Sequence, residues 1–330
     1  MNFFKNKRIL VTGASGFVGT NLIQRLVKCG AQVTGIIYKK PIQKKFRKVK
    51  YIKADLTIRS NCMKVTKNID YIFMCSANSS GANVMSNKPL THLTPNIVMN
   101  ALMLEASYYN QISKFCFISS NTVYPLTKHA VKEKDVNFKF FEKYHIVGWM
   151  KLFSEQMCNM YSKHIKKPMK TLVIRPGNLY GPYDKYTKNE SKVIAALIRR
   201  FYEKQSPLEV WGDGRDLKDF VYIEDFIDGL LMAFKNEGIE RPLNLASGKS
   251  ETIRKVIQHL KNISNQKNLK VNFRDDMPSM IPYRLISIDK AQKLLNYKPK
   301  VSLYQGLRKT YNWYKKFYKN IPPEKNINIF

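Results

Sequence analysis

A glycine-rich turn close to the N-terminus constrains this chain more than any other feature. Residues 8–19 read R-I-L-V-T-G-A-S-G-F-V-G, a short apolar run followed by Gly13, Gly16 and Gly19. Gly13 permits a tight exit from a strand, Gly16 lets backbone approach a diphosphate, and Gly19 lets a helix lie close to the strand. The diphosphate would lie against the N-terminus of that helix. The segment therefore predicts a dinucleotide-binding turn, with further binding residues at Ser15, Phe17 and Val18.

The composition limits the class of protein. The chain has 330 residues and a formal net charge of +33, and this length can bury a large core. No segment is long and apolar enough to span a bilayer, and the N-terminus lacks a signal pattern, so we expect a soluble, cytoplasmic protein without membrane insertion. The lysines recur in nearly every segment and form no recognisable nucleic-acid module, so no specific nucleic-acid partner is predicted.

The five cysteines lack the paired spacing of metal ligands, and we predict no metal site. They are Cys29, Cys62, Cys75, Cys116 and Cys158. Small buried thiols in a reducing compartment explain them.

Apolar runs alternate with helical periodicity through the first half of the chain. The predicted strands are 9–11, 33–37, 51–52, 71–75, 115–119 and 172–174, and the predicted helices are 17–29, 91–109 and 144–164. Strands joined by crossover helices require a parallel sheet covered on both faces. The fold class is therefore α/β, a Rossmann doubly wound parallel sheet with a smaller mixed α/β C-terminal substrate lobe.

The pattern changes after residue 175 to turns rich in Gly, Pro, Asp and Tyr. We predict a dinucleotide-binding domain at 1–175, to which 216–240 returns as a strand and helix. Residues 176–215 and 241–320 form the second lobe, and 321–330 form a frayed tail. The helices predicted in this half are 192–203, 252–263, 289–295 and 303–318.

Five motifs occur in order along the chain: T-G-A-S-G-F-V-G, S-S-N-T-V-Y-P, R-P-G-N-L-Y-G-P, L-E-V-W-G-D-G and F-V-Y-I-E-D. Together they resemble the extended short-chain dehydrogenase/reductase family of nucleotide-sugar epimerases, dehydratases and reductases. Within it, N-L-Y-G-P-Y-D and S-K-V-I-A-A-L-I-R-R-F look most like GDP-L-fucose synthases. The resemblance implies an NAD(P)-dependent enzyme that acts on a GDP-sugar at the sugar C4.

The end of the second strand favours NADP(H) over NAD(H). It has no acidic residue for the ribose 2′-hydroxyl and offers Lys39 and Lys40, which suit a 2′-phosphate; two exposed lysines in a basic chain would look the same. The resemblance places Asp55, followed by Leu56, at the adenine, although a helix cap would also explain Asp55.

The family pairs a serine or threonine with Tyr-x-x-x-Lys, in which the lysine lowers the tyrosine pKa. Ser120 matches the serine and Lys151 the lysine, which would also hold the nicotinamide ribose. Val147 stands at the tyrosine position and has no proton to give. Tyr144, one helical turn earlier, is the nearest replacement, although packing would explain it more simply.

The resemblance also implies an acid/base pair for epimerisation, a cysteine and a histidine. Here those positions hold Thr122 and Lys192. Threonine cannot take a proton from carbon near neutral pH, and lysine does so only if burial lowers its pKa strongly. Ser120 and Thr122 would polarise the sugar oxygen, and the proton would come from Tyr144, Lys192 or water.

The residues expected to hold the nucleotide-sugar are present in family order. They are Asn178 in the substrate loop, Arg200, Trp211 against the guanine, Lys218 at the diphosphate and Arg284.

Val147 admits three interpretations: a slow enzyme, a cofactor- and GDP-sugar-binding partner or regulatory subunit that has lost catalysis, or a substitution introduced to trap a ligand. The family also dimerises through the lysine-bearing helix. Trp149, Met150, Phe153 and Met157 would suit a homodimer contact or would face the sheet.

Overall fold

The computed structural model describes residues 2–79, 90–188, 190–239, 241–277 and 281–318. Its strands are β1 (Arg8–Val11), β2 (Gln32–Ile37), β3 (Val49–Lys53), β4 (Tyr71–Met74), β5 (Lys114–Ile118), β6 (Lys170–Pro176), β7 (Asn178–Tyr180), β8 (Leu208–Trp211), β9 (Leu217–Tyr222), β10 (Leu243–Leu245), β11 (Ser250–Thr252), β12 (Val271–Arg274) and β13 (Tyr283–Arg284). Its α-helices are α1 (Phe17–Lys28), α2 (Arg59–Val65), α3 (Leu90–Tyr109), α4 (His145–Lys163), α5 (Val193–Tyr202), α6 (Ile223–Lys235), α7 (Ile253–Ile263), α8 (Asp289–Leu295) and α9 (Leu303–Tyr318). Short 3₁₀ helices cover Asn2–Phe4, Asn121–Val123 and Glu142–Tyr144.

Seven parallel strands form the main sheet in the order β10-β6-β5-β4-β1-β2-β3. The order reverses at β1, where a doubly wound sheet binds ligands beyond the carboxyl ends of its strands. The predicted Rossmann class is confirmed.

Both faces of the main sheet are covered, as the alternation of side chains along β1 requires. Ile9 and Val11 belong to the core cluster that includes Leu22 of α1 and Phe226 of α6. Leu10 belongs to the opposite cluster, with side chains of α2, α3 and α4. This burial on both faces explains why the strands read as continuous apolar runs.

The second lobe contains two small sheets and a helical group. In one sheet β9 pairs with β7, β11 and β13, and in the other β8 pairs with β12. Helices α5, α7 and α9 pack against one another. Residues 319–330, which include the predicted tail, lie outside the described residues.

Within 216–240, which is predicted to return to the first domain, the helix and the strand have different neighbours. Helix α6 packs against α1, β6 and β10. Strand β9 instead lies in the second lobe, and β10, from a segment assigned to that lobe, completes the main sheet beside β6. A three-residue strand such as β10 carries too little sequence pattern to be recognised in advance.

Candidate functional site

The turn after β1 is tightly packed against its neighbours. Gly13 has a φ of +63°, and a Cβ there would lie 2.9 Å from the carbonyl oxygen of Cys75 at the end of β4. A Cβ on Gly19 would lie 2.2 Å from the carbonyl oxygen of Gly13. The hydroxyl of Thr12 accepts hydrogen bonds from the amides of Cys75 and Ser76 at 3.0 and 2.9 Å, which joins the turn to the exit of β4.

The start of α1 is open to an anion. Gly16 is its N-cap and supplies no side-chain hydrogen bond, and the first turn holds no acidic residue. The first amides of a helix have no intrahelical acceptor, and the helix dipole adds positive potential there. This cradle, which a side chain would fill, fits the diphosphate of a dinucleotide, with Phe17 and Val18 supplying main-chain amides and Ser15 beside them.

The two lysines after β2 have different surroundings. The carboxylate of Asp55 accepts hydrogen bonds from the amide and hydroxyl of Thr57 at 2.9 and 2.7 Å. These hydrogen bonds are the main reason that the pKa of Asp55 lies below its usual value, and the charge of Lys39 makes the smallest contribution. The ammonium of Lys40 instead lies 2.7 Å from the carboxylate of Glu190. The side chain of Leu56 is buried in the core, so only its main chain is available to a ligand.

Ser120 and Thr122 form a small hydroxyl unit after β5. Ser120 caps the 3₁₀ helix that follows it, and its oxygen accepts hydrogen bonds from the amide and hydroxyl of Thr122 at 3.1 and 3.0 Å. A hydroxyl that already accepts two hydrogen bonds keeps its own proton for a further acceptor. Ser120 is therefore oriented as a donor.

Lys151 lies on α4 beside this unit. Its ammonium donates to the carbonyl of Ile118 at 2.8 Å and lies 4.8 Å from the ring centre of Phe117. Burial lowers the pKa of Lys151 to about 8, and the charge of Lys192 adds to the lowering. Lys192, at the residue before α5, is thus within electrostatic reach of Lys151.

Val147, which stands where the family has its tyrosine, lies one turn before Lys151 on α4. Gly148 lies against the Ser120 segment, because a Cβ there would lie 2.9 Å from the carbonyl oxygen of Thr122. Val147 precedes it and is partly exposed. Since residues four apart share a helix face, Val147 and Lys151 lie on the same side of α4.

Tyr144 ends the 3₁₀ turn before α4 and has different neighbours from Lys151. Burial raises the pKa of Tyr144 to about 12, and the charges that act on it are those of Arg284 and Asp216. A tyrosine with a raised pKa near an arginine is suited to hydrogen bonding more than to proton exchange.

A buried network lies behind Lys151, and sequence reasoning missed it. The carboxylate of Glu155, one turn beyond Lys151, meets Arg175 at 2.5 Å and accepts from the hydroxyl of Ser119. Arg175 also donates to the hydroxyl of Tyr124 at 3.1 Å, which donates to Asn244 at 2.6 Å. The network ties α4 to β5, β6 and β10 and so positions Lys151. Three of its members lie in motifs that the sequence analysis quoted: Ser119 and Tyr124 in S-S-N-T-V-Y-P, and Arg175 in R-P-G-N-L-Y-G-P.

Three predicted substrate residues come together near β9. Arg284 is 1 % exposed and donates to the carbonyls of Pro125 and Tyr124 at 3.0 and 3.2 Å, while its buried Nε has no partner. The charge of Arg284 acts on Lys218, which contacts Asp216 at 3.0 Å. Asn178 donates to the carbonyl of Asp219, the residue after Lys218, at 3.0 Å.

Arg200 lies close to β8, the strand that ends at Trp211. Arg200 donates to the carbonyl of Glu209, two residues before Trp211 on β8. The indole of Trp211 is 44 % exposed, which leaves a flat face open to a base.

The candidate dimer residues on α4 do not share one face. Trp149 and Phe153 are 43 % and 47 % exposed, whereas Met150 is 2 % exposed and Met157 packs against the core. Of the two alternatives that the sequence left open, Met150 is buried within the protein, whereas Trp149 and Phe153 are available to an external contact. No helix among the described residues could cross a membrane.

A parallel sheet whose strand order reverses at β1, with a glycine turn at the point of reversal, is typical of dinucleotide-binding proteins. The chain belongs to the NAD dependent epimerase/dehydratase family, whose model matches residues 9–246. It is an enzyme of the nucleotide-sugar epimerase and reductase class.

Relatives and solved structures agree with this assignment. The chain is 26 % identical to GDP-mannose 3,5-epimerase of Arabidopsis thaliana, with 94 % of this chain and 83 % of the relative covered. It is 25 % identical to GDP-L-fucose synthase 1 of the same plant, with 94 % of each covered. UDP-glucuronic acid 4-epimerase from Bacillus cereus, solved with UDP-glucuronic acid and NAD, matches at a TM-score of 0.83 and 28 % identity, covering 94 % and 100 % of the two chains.

Proposed function

We propose that the chain is an NADP(H)-dependent GDP-sugar oxidoreductase or epimerase that acts at the sugar C4. The observation that carries the proposal is the juxtaposition of Ser120, oriented as a donor, with Lys151 at the end of the sheet that bears the glycine cradle. The bound nicotinamide would supply or accept the hydride.

Each catalytic role follows from the surroundings of its side chain. Ser120, supported by Thr122, donates a hydrogen bond to the sugar O4, which strengthens as negative charge develops there. Lys151 holds the nicotinamide ribose, and the low pKa caused by its burial leaves it charged only below about pH 8. Lys192 or water supplies the proton in place of a tyrosine at Val147.

Substrate binding rests on the cationic groups near β9. Arg284 and Lys218 are suited to a diphosphate, and the unpartnered Nε of Arg284 is a buried donor that a phosphate oxygen would satisfy. Tyr144 adds a hydroxyl to this group, which supports a binding role. Asn178 contacts the sugar, and Trp211 stacks on the guanine with Arg200 beside it.

The nucleotide and the cofactor preference rest on separate arguments. The names of two relatives favour GDP, while the Bacillus cereus epimerase was solved with a UDP-sugar and NAD. Lys39 and Lys40 favour NADP(H), because cations accommodate a 2′-phosphate.

The proposal is tested by mixing the protein with NADPH and a panel of GDP-4-keto-sugars and following the absorbance of the reduced nicotinamide. Matched UDP-sugars and NADH are the controls. Oxidation of NADPH with a GDP-sugar supports the proposal. Binding of both ligands without turnover contradicts the catalytic part and favours the binding-subunit alternative, and binding of neither contradicts both.

We further propose a cytoplasmic homodimer in which Trp149 and Phe153 of α4 lie at the contact. Both are large apolar side chains exposed on one helix, close to Phe138, which is 57 % exposed and whose ring centre lies 5.5 Å from that of Trp149. Light scattering of the purified protein tests this, since replacement of Phe153 by glutamate should convert a dimer to a monomer.

A further inference from the structure

One carboxylate lies between two ammonium groups from distant parts of the chain. Glu190 contacts Lys40, in the segment after β2, at 2.7 Å through one oxygen, and Lys185, in the segment after β7, at 3.5 Å through the other. The three side chains are 27–36 % exposed. Partly buried charge pairs are screened by salt less than fully exposed ones, so these contacts keep some electrostatic weight.

The cluster lies across the glycine turn. The ammonium of Lys185 also donates to the carbonyl of Ser79, which follows β4. In the main sheet β1 stands between β2 and β4. The contacts from residues 185 and 190 therefore reach chain segments on both sides of the turn that follows β1.

A second contact holds the same segments together. The side-chain amide of Gln43 donates to the carbonyls of Ser15, in the glycine turn, and Tyr183 at 3.2 and 3.1 Å. The cluster is thus anchored beside the cradle in which the cofactor phosphates belong.

The charges nearby leave an excess of cations. The pKa of Lys185 is lowered to about 8, mainly by burial and next by the charge of Lys40. Lys192 also acts on Lys185, and Asp184, which is buried, lies within reach of both lysines. Three lysines thus face two carboxylates, and a dianionic phosphate would balance them better than Glu190 does.

We propose that Lys40 and Lys185 form a phosphate-binding pair for the dinucleotide and that Glu190 occupies the place of that phosphate until the cofactor enters. The inference rests on the proposed function. A phosphate offers more oxygens and more charge than a carboxylate, so it takes over both ammonium groups and releases Glu190. Lys185 is then a cofactor-binding residue contributed by the second lobe.

The test is the affinity of the full chain for NADPH and for NADH, measured from the fluorescence of the reduced nicotinamide. We expect Lys185→Gln to weaken NADPH binding by about tenfold or more. Glu190→Gln should tighten it, because the competing charge is removed. Lys188→Gln, an exposed lysine in the same segment, is the matched control and should leave the affinity unchanged.

The two cofactors identify which phosphate is bound. If the pair holds the 2′-phosphate, Lys185→Gln weakens NADPH alone; if it holds the diphosphate, the variant weakens NADPH and NADH equally.

Two results would overturn the inference: unchanged affinities in Lys185→Gln, or weaker binding in Glu190→Gln. Thermal unfolding without cofactor is measured in parallel, since a merely structural bridge would lower the melting temperature and leave the affinities unchanged. If the unaltered protein binds neither NADPH nor NADH, the proposed function fails instead.

Discussion

Glu155 and Arg175 meet at 2.5 Å in the interior, where both side chains are at most 4 % exposed. Glu155 lies one helical turn beyond Lys151, so this ion pair sets the height and rotation of α4 against β6. A buried pair is costly to break, because the remaining charge has lost its partner.

Replacement of Glu155 by glutamine should therefore destabilise the fold by about 3–5 kcal/mol. Gln156→Ala, on the exposed side of the same helix, should change the stability by less than about 0.5 kcal/mol. Urea unfolding followed by circular dichroism measures both. Equal urea midpoints for the two variants would show that the charge of Glu155 does not stabilise the fold.

Replacement of Gly19 by alanine should weaken dinucleotide binding by about tenfold or more, since the new Cβ would lie 2.2 Å from the carbonyl of Gly13 and the turn must shift. Gly238→Ala is the matched control, because its nearest atom would be 3.4 Å away. Fluorescence titration with NADPH compares them. Unaltered affinity in the Gly19 variant would argue against phosphate binding at this turn.

Val147→Tyr should raise turnover by about 10²–10⁴-fold, the usual contribution of a positioned general acid. Val147→Phe places the same ring without the hydroxyl and should give no increase. Steady-state rates with NADPH and a GDP-4-keto-sugar provide the measurement. A similar gain in both variants would mean that ring packing, and not proton transfer, had limited the rate.

Turnover should fall above about pH 8, by about tenfold per pH unit, if charged Lys151 holds the nicotinamide ribose. Unfolding does not explain such a fall. The unfolded lysine, with a pKa of about 10.4, keeps a proton that the folded one has lost, so this group makes stability rise with pH between the two values. A pH profile of kcat/KM tests this, and Lys151→Arg, which stays charged, should lose the alkaline decline.

Tyr144→Phe should raise KM for the sugar nucleotide and leave kcat within about twofold, because its hydroxyl is coupled to Arg284 and not to Lys151. Tyr109→Phe, at an exposed position on α3, is the control. A fall in kcat without a change in KM would restore Tyr144 as the proton donor.

The elements determined by local pattern could be predicted from the sequence. The turn after β1 was recognisable because glycine spacing and sterics act within a dozen residues, and α8 begins and ends where its periodicity does. The hydroxyl unit and Lys151 were recognisable by resemblance, although their roles remain predictions.

The long-range relationships could not be predicted in the same way. Lys40 and Glu190 are 150 positions apart in sequence and meet only in the folded chain. The sequence therefore cannot show that Lys40 and Lys39 have different neighbours. Met150 and Trp149 are adjacent and equally apolar, yet the rotation of α4 buries one and exposes the other. Pairing of β9 outside the main sheet likewise depends on strands distant in sequence.

Asn21 on α1 donates a hydrogen bond to the carbonyl of Pro182 at 3.0 Å. Like the bonds of Gln43 to Ser15 and Tyr183, it connects the segment after β7 to the dinucleotide-binding part of the chain. The segment after β7 is therefore held directly against α1 and the glycine turn, so a shift of either one would displace the other.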